Sequence, residues 1–349
     1  MTKLIWTMIL FSIVTSAGVA VENEHEELGT IRWLRNYDEA LRQGAKQSKP
    51  VLILFQEVPG CATCRNYGLH VLSHPLLAET VEQLFVPLAV FNNRGGRDAE
   101  VLQLFREPSW NNPVVRIIRP TGEELTRRLA GDYSPGGFSA AMIDALLAFG
   151  TPVPRYLDIA NMELSARPTE ETALLSMFCF WEGEIRLGSI PGVISTRAGF
   201  IGGGEAVELR FDTRVLSYEQ LLRVAAHLRC ADRVHPLTPR QRSAAQAVLG
   251  TDRIGPSIRF RADENTKYYL SRTEYRFLPM TEAHKVRVNI AVYRSSEPEQ
   301  LLSPRQRQAL LFIQHNPNYP WRNLINSADI RGDWERLWTI IDQQRAIEN

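Results

Sequence analysis

The chain of 349 residues is long enough for two hydrophobic cores, since single domains commonly run about 100 to 200 residues. Its 44% apolar and 23% charged content belongs to a folded chain and excludes a disordered one. Lys and Arg total 40 against 39 Asp and Glu, a balance that excludes a broadly basic nucleic-acid binder and argues for partners set by local sites.

At the N-terminus Lys3 precedes an apolar run over residues 4–14, and the small residues Gly18 and Ala20 follow where a signal peptidase reads. The expectation is a signal peptide over residues 1–20, cleaved after Ala20, with cleavage after Ala17 or an uncleaved anchor as alternatives. The apolar run is shorter than the roughly 20 residues of a membrane span. A periplasmic or secreted protein without a membrane span after leader removal is therefore expected. Its four cysteines, Cys61, Cys64, Cys179 and Cys230, are too few to staple a chain of this size, so their chemistry matters more than their cross-linking. In an oxidising compartment Cys61 and Cys64 tend toward a disulfide unless an upstream thiol donor keeps them reduced. A purely structural clip is the alternative.

Helical spacing of Trp33, Leu34, Tyr37, Ala40 and Leu41 predicts a helix over 31–45, ended by Gly44, Ser48 and Pro50. Residues 51–55 are continuously apolar, as in a strand buried on both faces. The Cys-Ala-Thr-Cys motif follows directly and a helix is predicted over 64–72. Cys61 then stands at a helix N-terminus, where backbone N–H groups favour the thiolate. A strand at 84–91, a helix at 98–105, strands at 114–118 and 124–130 about the Pro120-Thr121-Gly122 turn, and a helix at 138–149 complete the order. With Asn112-Pro113 opening the third strand, residues 30–150 resemble a thioredoxin-like domain. That resemblance implies that Cys61 and Cys64 are a redox dithiol and that Pro113 is a cis proline facing it. The chain departs from the family in having Val58-Pro59-Gly60 before the first cysteine and Ala62-Thr63 between the pair. The buried Asp of many thioredoxins falls at Phe55, leaving Glu57 as the nearby substitute. His70 and His74 are one helical turn apart, but they sit too close to Cys64 for a zinc-finger loop. They read as a solvated helix face, and neither a metal nor a cofactor is expected.

Residues 150–154, Gly-Thr-Pro-Val-Pro, read as a linker. A strand over 173–178 ends at Cys179 and a helix is predicted over 181–187, placing a second cysteine at a strand-to-helix junction. The string Ser176-Met177-Phe178-Cys179-Phe180-Trp181, with Glu184, Pro191-Gly192-Val193, Gly199-Phe200-Ile201-Gly202-Gly203 and Glu205-Ala206-Val207-Glu208-Leu209, resembles the A-type methionine sulfoxide reductases. The resemblance is densest over 170–230, within a domain taken as 165–262. It implies that Cys179 is a nucleophile that attacks a sulfoxide sulfur and becomes a sulfenic acid. Phe180 and Trp181 then wall a pocket for the methionine methyl group, the alternative being that both fill the core. Gly203-Gly204 runs straight into Glu205 where the family inserts a loop carrying its acid. Glu182 is the substitute acid considered, against a charged helix surface; Glu184 matches the family motif and reads as structural. Cys230 is either the resolving cysteine or a buried free thiol in a helix over 218–230.

Beyond Val234, Thr238-Pro239-Arg240-Gln241 and Ser303-Pro304-Arg305-Gln306 each read as a capped helix start. Residues 263–349 are expected to form a helical C-terminal extension with Trp321, Trp334 and Trp338. The fold class is α/β (α+β): a thioredoxin-like domain, a reductase-like α/β domain and this extension. The function expected is thiol-dependent reduction of methionine S-sulfoxide in proteins or peptides, the first domain supplying electrons. One alternative is a thioredoxin-like thiol-disulfide oxidoreductase whose degenerate second domain only binds; another is a scaffold with inert cysteines. Oxidised methionine and an upstream thiol donor are the expected partners; nucleic acid is not.

Overall fold

The apolar run after Pro50 forms β1 (Val51–Gln56), buried at every residue. In the computed structural model, which describes residues 25–256, 259–264, 267–321 and 329–348, this strand centres a four-stranded sheet. The expected leader at 1–20 lies outside the described residues. β2 (Val86–Phe91) pairs parallel to β1, β3 (Val114–Ile118) pairs antiparallel on its other side, and β4 (Leu129–Ala130) lies at the edge. The lack of alternation in β1 follows from its two covered faces. Leu52 and Leu54 enter one core, with α2 (Ala62–Tyr67), α3 (Pro75–Leu84) and α5 (Pro135–Phe149). Ile53 and Phe55 enter a second core, with α1 (Tyr37–Gln47) and α4 (Arg97–Leu104).

Three predicted boundaries shift for local reasons. α1 begins at Tyr37 because the Asn36 side chain accepts from Glu39 N–H, while Leu34 bridges to Leu88 in extended form. α2 begins at Ala62, and at Gly68 it loosens into a π-helical turn to Leu72. A Cβ at Gly68 would stand 1.9 Å from the Glu26 carbonyl oxygen, so only glycine admits the approach. The predicted strand at 124–130 shrinks to β4 and a bridge from Glu124 to Ile118. Arg128 instead reaches the buried Glu107 carboxylate at 2.6 and 2.9 Å, which it shares with Arg116.

α6 (Arg155–Ala166) leads into a second, antiparallel sheet. Its members are β5 (Glu170–Ser176), β6 (Val193–Ile201), β7 (Gly204–Asp212), β8 (Arg233–Val234) and β9 (Arg261–Ala262), in the order β8-β5-β7-β6-β9. Helices α7 (Phe180–Gly188), α8 (Tyr218–His227) and α9 (Pro239–Leu249) share its core through Leu187, Leu221, Leu222 and Ala245. β6 and β7 are joined by a turn in which Gly202 and Gly203 take φ of 57° and 84°.

The C-terminal third forms α10 (Glu282–Tyr293), α11 (Pro304–His315) and α12 (Ile330–Glu348). These helices fold back onto the first half. Leu310, Ile313, Trp321, Trp334, Leu337 and Trp338 share one core with Leu76, Leu77, Val81 and Phe138. Arg305 N–H donates to Glu79 Oε1 at 2.7 Å, and Ala283 N–H donates to Glu163 Oε2 at 2.8 Å. Val153, inside the expected linker, packs against the same core, so residues 150–154 do not act as a loose tether. Among the described residues no helix is long and apolar enough to cross a membrane.

Candidate active sites

The loop after β1 is held before it delivers the first cysteine. Gly60 N–H donates to Glu27 Oε1 at 2.7 Å, Val58 N–H to Asn93 Oδ1 at 3.3 Å, and Asn93 Nδ2 to the Pro59 carbonyl at 3.3 Å. The Val58–Pro59 bond is cis, which the sequence did not suggest. A Cβ at Gly60 would meet Glu57 O at 2.3 Å and Cys64 Cβ at 2.7 Å, so the loop passes against the dithiol closely enough to need glycine. Cys61 caps α2 and is exposed; Cys64 is buried, and their sulfurs are 3.5 Å apart with no disulfide between them.

The two thiols are pushed in opposite directions. Backbone N–H donation at Cys64 lowers the Cys61 pKa, against a smaller opposing effect of burial, with the Cys64 thiol and Thr63 adding to the lowering. Burial, with the neighbouring Cys61, pushes Cys64 up to about 12. Cys64 Sγ donates to Asn112 Oδ1 at 2.6 Å, and Asn112–Pro113 is cis, which puts the expected proline beside the dithiol. Phe55 is fully buried where many thioredoxins carry an acid. Glu57 takes up the neighbourhood instead, with a carboxylate oxygen within 4.8 Å of both sulfurs. His70 is exposed and His74 caps α3; neither joins the cysteines.

The second site begins where β5 ends. Met177 N–H donates to the Glu205 carbonyl, Phe178 projects with 93% of its surface exposed, and half-buried Cys179 caps α7. Phe180 N–H, in the first turn of α7, donates to Glu205 Oε2 at 2.7 Å, so β7 supplies the capping carboxylate next to Cys179. Phe180 is buried against Phe200, with ring centroids 5.3 Å apart. Trp181 is stacked on Tyr268 at 4.0 Å and 22°. Its indole Nε1 is buried without a hydrogen-bond partner among the described residues.

Glu182 and Glu184 separate as their sequence contexts suggest. Glu182 is ion-paired to Arg186, which also donates to the Leu228 carbonyl at 2.8 Å, so its carboxylate is occupied. Glu184 is buried and takes Lys267 Nζ and Lys267 N–H at 2.9 Å each, with Thr196 Oγ1 at 3.2 Å. The pair fixes Lys267, whose φ is +64°, and thereby sets the two tyrosines that follow it. Tyr269 lies 4.8 Å from Tyr293 at the end of α10. Its pKa is raised by burial first and then by Tyr293, Cys179 and Glu182.

Cys230 was predicted to end a helix over 218–230, but it lies outside α8. α8 stops at His227, Arg229 turns left-handed at φ 57°, and Cys230 N–H returns to the Ala225 carbonyl at 2.8 Å. The thiol is buried and pushed up to about 11, chiefly by burial; Arg186 pulls it down, and Glu182, Asp232 and Cys179 push it up. Sequence reasoning missed Glu205, Tyr268 and Tyr269. Glu205 was visible inside a quoted motif, but its side chain acts across the sheet. The tyrosines were marked only by adjacency to a lysine that pairs with Glu184.

Known proteins match the two halves separately. The thioredoxin-like family matches residues 32–120. Peptide methionine sulfoxide reductase MsrA of Klebsiella pneumoniae is 35% identical over 144 residues, covering 31% of this chain and 68% of that protein. The Cronobacter sakazakii protein of that name is 38% identical over 111 residues, covering 23% and 52%. The Shigella boydii protein is 33% identical over 141 residues, covering 30% and 66%. The chain thus spans between about half and two thirds of the length of these relatives. Among solved structures, a thioredoxin from Thermus thermophilus is 24% identical and covers 34% of this chain and 90% of its own, with a TM-score of 0.30. A DsbH oxidoreductase is 18% identical, covering 35% and 86%, with a TM-score of 0.30.

Proposed function

The chain belongs to the family of A-type peptide methionine sulfoxide reductases, carried behind a thioredoxin-like domain, and on that premise we propose that it reduces methionine S-sulfoxide in peptides or proteins with electrons passed through Cys61 and Cys64. The observation that carries this reading is the setting of Cys179. It is a half-buried thiol at the start of α7, close in sequence to the stacked Trp181–Tyr268 pair and electrostatically coupled to the Tyr269 phenol and the Cys230 thiol.

In the reaction the Cys179 thiolate bonds to the sulfoxide sulfur as its oxygen takes a proton, and that hydroxyl then passes to the Cys179 sulfur as the new sulfur–sulfur bond and the old sulfur–oxygen bond break, releasing methionine and leaving Cys179 as a sulfenic acid. The aromatic wall offers an apolar face to the methyl group. Tyr269 supplies the proton, since burial and neighbouring charge keep its phenol protonated, while Glu182 is held by Arg186. The Cys230 thiol then condenses with the sulfenic acid, releasing water and forming a Cys179–Cys230 disulfide. Cys61, the thiol with the lowered pKa, attacks that disulfide, and Cys64 displaces the mixed disulfide. An upstream thiol donor returns the Cys61–Cys64 disulfide to the dithiol, in a periplasmic or secreted setting.

The Gly202-Gly203 turn in place of the acid loop favours a second reading, in which the reductase-like half only binds and the dithiol alone turns over. Purified protein, a peptide carrying the S-sulfoxide and a chemical reductant separate the two. The first reading expects methionine from wild type and from Cys61→Ser but none from Cys179→Ser, and a fall of about 100-fold in Tyr269→Phe. No methionine from wild type under strong reduction establishes the second.

A further inference from the structure

Oxygen and sulfur donors converge on one side of the Cys61–Cys64 pair. The sulfurs are 3.5 Å apart, a Glu57 carboxylate oxygen lies within 4.8 Å of both, and Asn112 Oδ1 lies 2.6 Å from Cys64 Sγ. Two thiolates about 2.3 Å from a tetrahedral zinc ion stand roughly 3.8 Å apart, close to the separation already present. The loop that follows Glu57 is held by the contacts from Gly60 to Glu27 and between Asn93 and Val58 and Pro59. Among the described residues this is the one group of three or more His, Cys, Asp or Glu side chains brought within coordinating range of one another.

We infer that the reduced Cys61–Cys64 pair, completed by the Glu57 carboxylate and the Asn112 side-chain oxygen, binds a divalent cation of the zinc class, and that cation and disulfide exclude each other. Two sulfur donors select a thiophilic ion over magnesium or calcium, and two oxygens complete a four-coordinate shell. Binding releases the two thiol protons to solvent and replaces the Cys64–Asn112 hydrogen bond with bonds to the metal. Donation to the metal withdraws electron density from the Cys61 sulfur and lowers its nucleophilicity toward a disulfide, so the ion acts as a brake on electron transfer. The inference goes beyond the sulfoxide-reductase reading and holds whether or not the second half is catalytic.

The test uses the full chain carrying Cys179→Ser and Cys230→Ser, so that only two thiols remain, titrated with cobalt(II) and competed with zinc. The reduced chain should take up one equivalent, with a thiolate-to-cobalt charge-transfer band and the strong visible bands of a tetrahedral ion; the oxidised chain should take up none. Glu57→Gln should bind at least about 10-fold more weakly. Glu57→Ala guards against coordination by the new amide oxygen, and in it zinc should lose its ability to slow Cys61 alkylation. Absence of the charge-transfer band in the reduced parent overturns the inference. Equal affinity in the parent and both Glu57 variants overturns it too, because the dithiol then acts alone.

Discussion

Replacing Lys267 with methionine removes the ammonium that joins the C-terminal third to Glu184 of α7 and to the Thr196 carbonyl of β6. Lys267 and Glu184 are almost wholly buried, at 4% and 0% side-chain exposure, and meet at 2.9 Å. Removing the ammonium leaves the Glu184 carboxylate buried with only the Lys267 backbone N–H and the Thr196 hydroxyl as donors. A buried pair broken on one side typically costs about 3 to 5 kcal/mol, most of it the uncompensated charge. Lys267→Met should therefore lower unfolding stability by about 3 to 5 kcal/mol in urea titrations. Adding Glu184→Gln removes the stranded charge while keeping an acceptor for Lys267 N–H, so the double variant should recover at least about 2 kcal/mol. Sulfoxide reduction should fall in the single variant even where it stays folded, because Tyr268 and Tyr269 are positioned through Lys267. A single-variant cost under about 1 kcal/mol, or a double variant equal to the sum of the two singles, refutes the assignment of this pair as the anchor.

Alkylation of the reduced protein followed by peptide mass mapping should modify Cys61 at a pH below that of an ordinary thiol, while Cys64 stays protected until the pH approaches about 12. Burial holds the His284 imidazole down to about 3, so the folded state favours the neutral ring. The stability it contributes is complete above its unfolded value of 6.5 and is lost as pH falls toward 3; acid titrations of wild type against His284→Gln should show a shallower loss in the variant across that window. Gly60→Ala places a methyl 2.3 Å from Glu57 O and 2.7 Å from Cys64 Cβ, so thiol-disulfide exchange by the dithiol should slow by at least about 10-fold even where circular dichroism is unchanged. Cys230→Ser should let Cys179 sulfenic acid accumulate, read by a sulfenic-acid probe after one turnover.

What the sequence made legible was whatever local chemistry enforces. The unbroken apolar run of β1, the cysteines at two strand-to-helix junctions and the Ser303 cap with Gln306 each depend on neighbours a few residues away, whereas the cis Pro113 was expected from the resemblance to thioredoxin-like domains. The hidden parts depend on contacts across long stretches of chain. Glu184 resembled an ordinary helix residue because its partner is 83 positions later. Residues 263–349 looked like an appendage because their amphipathic helices carry an apolar face without saying what it covers, and that face covers Leu76, Leu77 and Val81 of the first half. Glu182 was the natural candidate for a missing acid when only sequence distance could be judged. In three dimensions Arg186 claims it, and the groups near Cys179 come from β7, from the residues after Lys267 and from the turn after α8. With β6 and β7 joined by the short Gly202-Gly203 turn, the proposed reduction would have to take its proton from another element. The buried Glu184–Lys267 pair holds the segment that continues into Tyr268, stacked on Trp181, and Tyr269.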